Sequence, residues 1–133
     1  MPGRRHSLFL AAAALCAVTG AALGEDVTGP KELAFNNHCR ECHTVDPGDN
    51  RLGPTLYDII GRKAGSLSSF PNYSSAVQDS GIVWDASTLD KWIANPEAYL
   101  PDNNMRPFAG VTDAKERALI ISYLESKSQM PSR

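Results

Sequence analysis

In the run Cys39-Arg40-Glu41-Cys42-His43, two thiols stand three positions apart and an imidazole follows directly. No other segment restricts the fold of this chain as strongly. The string is C-x-x-C-H, the attachment signature for a c-type haem. Chemistry dictates the spacing, because thiols so placed both reach the vinyl groups on one edge of a porphyrin and form thioethers. The imidazole that follows is then held beneath the ring, within reach of the iron. Cys39 and Cys42 are the expected attachment points of one covalent haem c, and His43 the expected first metal ligand. A chain tethered in this way has to build its interior around a large planar body.

A C-x-x-C pair also occurs in thioredoxin-like redox sites and in halves of zinc sites. The first needs a βαβ setting, and no strand-like run surrounds this pair. The second would need Cys39, Cys42, His43 and His38 together on one tight turn, with no second C-x-x-C to help.

The front of the chain reads as an export signal covering residues 1–24. Arg4 and Arg5 form a positive start, residues 7–18 are apolar and rich in Leu and Ala, and Ala22-Leu23-Gly24 offers small residues for cleavage near Gly24. The apolar run is well short of the roughly 20 residues that span a bilayer as a helix, so removal is expected rather than a stable membrane anchor. Cys16 leaves with this segment. Residues 25–133 then form one small domain with two cysteines, both inside the haem motif, and no structural disulfide. Loss of Arg4 and Arg5 leaves 11 basic residues against 15 acidic ones, a net of −4. No basic stripe is present, so a nucleic-acid partner is not expected.

Local signals predict short helices. Gly29-Pro30 opens one that runs into the haem motif and turns Leu33, Ala34 and Phe35 partly inward. One helical turn is expected over 56–60, ended by Gly61, and another short helix over 74–79. Asp85 is a good N-cap for a helix over 86–94, with Leu89, Trp92 and Ile93 on one face. Asn95-Pro96 breaks it, and 96–99 forms a further turn. Asp113 and Glu116 give a D-x-x-E cap for the last helix, whose apolar face is Leu119, Ile120, Tyr123 and Leu124. The stretches 44–54, 65–72 and 100–110 are loops. No segment alternates as a strand, so the expected class is all-α: short helices and long loops wrapped around the haem, with the N- and C-terminal helices packed together. Loops this long in so small a domain need a ligand to organise them.

Three side chains compete for the second axial position once the leader is gone. His38 adjoins Cys39 and is poorly placed to reach the far face of the ring. Met130 sits in a polar tail. Met105 lies in a proline-bordered polar loop 62 positions after His43, long enough to pass around the ring and return. A methionine is more often core filler than a ligand, but this loop is not a helix face.

Phe35, the C-x-x-C-H run, Gly53-Pro54, Gly61-Arg62-Lys63-Ala64-Gly65, Trp84, Asn95-Pro96, Tyr99-Leu100-Pro101, Met105 and Phe108-Ala109-Gly110 occur in this order. In this the chain resembles the class I cytochromes c, over residues 29–127, and within them the soluble bacterial group close to the mitochondrial carrier. The resemblance implies that Met105 is the sixth ligand and that the Pro54 carbonyl accepts a hydrogen bond from His43. It also implies that Arg62, Tyr73 and Trp84 hold the haem propionates. The chain departs from that pattern at four places. Trp92 replaces a tyrosine near the methionine sulfur. Lys31 stands where a glycine marks the crossing of first and last helices. Arg106-Pro107 add one residue after the methionine. The ring of surface lysines is thin.

The expected function is a periplasmic one-electron carrier, not an enzyme. It is expected to be a monomer whose redox partners dock briefly at the haem edge: a donor dehydrogenase or membrane complex, and an acceptor oxidase or reductase. One alternative is a small haem peroxidase or gas-binding haem protein with a labile sixth ligand. The other is a haem-free thiol module using Cys39 and Cys42.

Overall fold

A computed structural model of the protein describes residues 28–128, together with Met1 and Gly3. The expected leader beyond those two residues, and Met130, lie outside the described residues. Five helices follow in order among the described residues: α1 Pro30–His38, α2 Ser75–Asp79, α3 Ala86–Ala94, α4 Pro96–Tyr99 and α5 Ala114–Ser126. Among the described residues no strand forms, and β pairing is limited to one isolated antiparallel bridge between Lys63 and Val83. The all-α expectation holds.

Helix starts follow the local chemistry. Pro30 opens α1 with φ already set for a helix, after Gly29, which offers no side-chain cap. Asp85 and Thr88 close a reciprocal capping box on α3: the Asp85 carboxylate accepts from the Thr88 N–H at 2.7 Å, and the Asp85 N–H donates to Thr88 Oγ1 at 2.8 Å. Asn95 ends α3 and caps α4 by accepting from the Ala98 N–H at 3.0 Å. Asp113 caps α5 by accepting from the Lys115 and Glu116 N–H groups. The D-x-x-E pattern is not reciprocal here. Glu116 turns instead toward α1, where its carboxylate faces His38 Nε2 at 3.6 Å.

The two terminal helices pack on each other, and α5 also meets α3. Phe35 and Tyr123 bring their rings to 5.2 Å across the α1–α5 contact. Phe35, Ile120 and Leu124 are among the most deeply buried side chains. Lys31 is exposed, and α1 buries Ala34 and Phe35 instead. Leu33, expected partly inside, is 51 % exposed. Three consecutive helical residues span about 200° of arc, too wide to share one buried face. On α5, Ile121 joins the core, while Leu119 is only partly buried.

The expected helical turn over 56–60 does not form. Asp58 takes φ 56°, a left-handed value that breaks a helix. The backbone donors of this segment go elsewhere: Asp58 N–H donates to Lys127 O at 3.1 Å, and Ile60 N–H to Ser128 Oγ at 3.2 Å. The segment thus ties down the C-terminal end of α5.

Candidate haem-binding site

A cavity of about 410 Å³ opens between the C-x-x-C-H turn, the loops and helices α2, α3 and α5. That volume falls in the range of roughly 300–1,000 Å³ usual for cofactor sites. All eight site residues expected from the sequence line it: Cys39, Cys42, His43, Pro54, Arg62, Tyr73, Trp84 and Met105. The remaining wall is largely apolar, from Leu56, Ile59, Phe70, Val77, Leu89 and Ile93. No carboxylate lines it among the described residues.

The C-terminal end of α1 delivers the motif to this wall. After His38 the chain tightens, and both Cys42 and His43 donate their N–H groups to Cys39 O, at 3.1 and 2.9 Å. His43 is buried, and its Nδ1 lies 2.7 Å from Pro54 O. A carbonyl can only accept, so Nδ1 carries the proton. Burial lowers the His43 pKa, against the opposing effect of the Pro54 bond, and so favours the neutral ring. Nε2 is therefore left with its lone pair. Gly53 makes the approach possible: a Cβ at this position would lie 2.2 Å from His43 Cε1.

The two thiols are free and partly buried. Burial pushes the Cys39 thiol up to about 12, and Cys42 adds to the rise. A thiol–disulfide catalyst needs the reverse, a thiol lowered to roughly 3.5–7.5. Cys39 is shifted the opposite way.

Across the cavity, Arg62 is half-buried and its guanidinium donates to the carbonyls of Thr55 (2.8 Å) and Tyr57. Those two bonds leave three of its five N–H donors. Burial lowers its pKa, while Tyr73 and Asp58 raise it. Tyr73 is raised by burial and lowered by Arg62, which places the two groups in one electrostatic neighbourhood. Tyr73 also meets Phe70 edge-on at 5.0 Å. Trp84 and Trp92 are both buried, line the cavity and tilt against each other at 5.4 Å.

His38 lines the same cavity on the Cys39 side, but its Nε2 faces Glu116. Phe70, Leu52 and Asn104 also line it and were not singled out from the sequence. Phe70 sits in a loop with no periodicity to mark it. Leu52, 79 % exposed, is an ordinary loop residue until the fold places it at the cavity wall.

The donor set fits a covalently held haem: two thiols, a neutral imidazole with one oriented proton, a thioether, and apolar walls with cationic Arg62 and Arg106 among them. This combination on a strand-free helical fold defines a small haem protein of the c type. No protein-family model matches the chain. It is 41 % identical over 108 residues to cytochrome c type-1 of Ascaris suum, spanning 81 % of this chain and 93 % of that one. Cytochrome c2 iso-2 of Magnetospirillum fulvum is 42 % identical over 88 residues, 66 % of this chain and 90 % of the relative. Cytochrome c2 of Rhodomicrobium vannielii is 37 % identical over 120 residues, 90 % and 92 %. The solved structure of cytochrome cH from Methylobacterium extorquens superposes with a TM-score of 0.68 at 36 % identity, covering 75 % of this chain and 98 % of that one.

The chain belongs to the class I cytochromes c. It is an electron-carrying haem protein and not an enzyme, and its family carries haem c bound covalently through the C-x-x-C-H motif.

Proposed function

We propose that the protein is an exported, periplasmic one-electron carrier. It holds one haem c through thioethers to Cys39 and Cys42, with His43 and Met105 as axial ligands. Bound haem supplies an iron that gains and loses one electron. What supports the ligand pair most is that a neutral imidazole with its Nε2 lone pair available and the Met105 thioether line one cavity. Pro54 fixes the His43 tautomer and makes the ring a better donor. A thioether favours the ferrous state, and the surrounding apolar side chains add to this by excluding water. With His43 and Met105 both holding the iron, the metal would be closed to substrate. Arg62, Tyr73 and Trp84 are proposed to meet the carboxylates at the haem periphery. Arg62 supplies charge and its remaining donors, Tyr73 a hydroxyl and Trp84 an indole N–H.

Residues 1–24 are proposed to be removed on export, leaving 25–133 as the single mature domain. Among the described residues no helix is long and apolar enough to cross a membrane. Partners are proposed to be redox proteins, a donor dehydrogenase or membrane complex and an acceptor oxidase or reductase. They would dock transiently at the haem edge, on a monomer, through a small interface.

The test is Met105→Ala in protein matured by an export-competent host. The ferric spectrum should lose the signature of thioether–iron ligation, and the midpoint potential should fall. The ferrous form should begin to bind carbon monoxide. An unchanged spectrum and potential would refute the ligand assignment. Ready binding of carbon monoxide by the unmodified protein would favour the gas-binding alternative. Amino-terminal sequencing of the exported protein checks the cleavage near Gly24.

A further inference from the structure

Asn103 is 5 % exposed, one of few polar side chains buried in this fold. Its hydrogen bonds lie within the loop that carries Met105 and reach back to α4 just before it. Its Oδ1 accepts from the Met105 N–H at 2.9 Å, and its Nδ2 donates to Leu100 O at 2.9 Å and, at 3.4 Å, to Glu97 Oε2. The other oxygen of Glu97 accepts from Arg106 Nη2 at 2.7 Å. One carboxylate on α4 therefore holds the residue two before the methionine and the residue directly after it. Asp102, just before Asn103, takes φ 62°, so the chain turns sharply into the clamp. On the far side, Asn104 Nδ2 reaches Asn72 O at 3.4 Å and links this loop to the one carrying Tyr73.

The geometry points to Asn103 as a positioning residue. Together with Glu97 and Arg106 it forms a clamp that fixes the backbone at Met105 and sets how firmly the thioether competes for the sixth iron position. This rests on the proposed His43–Met105 ligation and deepens it. The loop over 100–110 has no regular secondary structure of its own. Without the clamp, the Met105 backbone would keep the Phe108 N–H to Met105 O bond at 3.0 Å, with the long Asn104–Asn72 link beside it. A buried amide that satisfies a loop from inside is costly to remove, because its partners lose their bonds without gaining water. Arg106 is 69 % exposed and Glu97 48 %, so their ion pair is the weaker half of the clamp and Asn103 the stronger.

The measurement is the affinity of the haem-loaded ferric protein for added imidazole, which must displace Met105 to bind. Asn103→Ala should bind imidazole about tenfold more tightly, equivalent to about 1.4 kcal/mol, and should speed hydrogen exchange at the Met105 amide. Glu97→Gln, at an exposed site with little risk to folding, should shift the affinity in the same direction by about twofold to threefold. Asp113→Ala serves as the control: it removes the cap of α5 and should lower the melting temperature with imidazole affinity unchanged. The clamp is refuted if Asn103→Ala and Glu97→Gln keep the parent affinity, or if Asp113→Ala raises it as much as they do. The ligand assignment fails separately if Met105→Ala binds imidazole no better than the parent.

Discussion

Gly53 and His43 are in such close approach that a single methyl on the glycine would fall 2.2 Å from Cε1 and 2.7 Å from Nδ1 of the imidazole. The ring is held between this bare backbone and the Pro54 carbonyl, so the glycine determines where the imidazole stands.

Gly53→Ala should therefore act on the imidazole and not on the backbone, since Gly53 is not among the positive-φ glycines. The side chain most directly displaced is His43, with its bond to Pro54. We expect a loss of about 1–3 kcal/mol in unfolding free energy, as for other overpacked sites, together with a shifted midpoint potential. Denaturant titration and potentiometry on the same sample check both. A variant that loses stability but keeps the parent potential would show that the imidazole stays in place.

Asp85 gives the α3 cap a defined pH dependence. Hydrogen bonds from Thr88 hold its carboxyl below the ordinary value of 3.8, against a small opposing effect of burial. A depressed folded-state pKa means that the stabilisation is present above the ordinary value and is lost as pH falls through the lower, folded one. Asp85→Ala should lower the melting temperature at pH 7 and leave a shallower loss of stability on acidification. Melting curves from pH 7 to pH 2 read this directly, and parallel acid limbs for parent and variant would contradict it.

Arg117 and Arg51 both sit in ion pairs, yet they should differ sharply. The Arg117 side chain is 13 % exposed; its Nε donates to Asp90 at 2.7 Å and its Nη1 to the carbonyls of Val111 and Thr112, each at 2.9 Å. It thereby joins α5 to α3 and to the loop before it. Arg51 is 46 % exposed and meets only Asp49, two positions away. Arg117→Ala should cost on the order of 1.5–3 kcal/mol and Arg51→Ala no more than about 1 kcal/mol. Arg117→Lys should recover only part of the loss, because an ammonium cannot reproduce the fork. Equal effects of the two alanine substitutions in urea unfolding would sink the distinction.

The sequence singled out eight of the residues that line the cavity, because they fall in a contiguous motif and a few separated markers. Cys39, Cys42 and His43 share one turn, and Pro54 follows Gly53, the glycine that the imidazole requires. Asn103 was not legible, although its neighbour Met105 was. A loop asparagine looks the same in sequence whether it faces water or bonds a buried backbone, and its burial depends on α4 lying beneath it. Arg62 was legible as a cation, but its engagement with the Thr55 and Tyr57 carbonyls was not.

Local chemistry was enough for the motif, the all-helical class and the starts of α2, α3, α4 and α5. Each of these rests on partners a few positions apart, as in the Asp85–Thr88 box or the Asp113 cap. Tertiary structure alone decided that 56–60 would be no helix and that Leu33 would face outward while Ile121 faced in. It also decided that Glu116 would turn to His38. The cause is separation along the chain. The donors of Asp58 and Ile60 find their acceptors at Lys127 and Ser128, and no local pattern records a bond whose two ends lie nearly 70 residues apart.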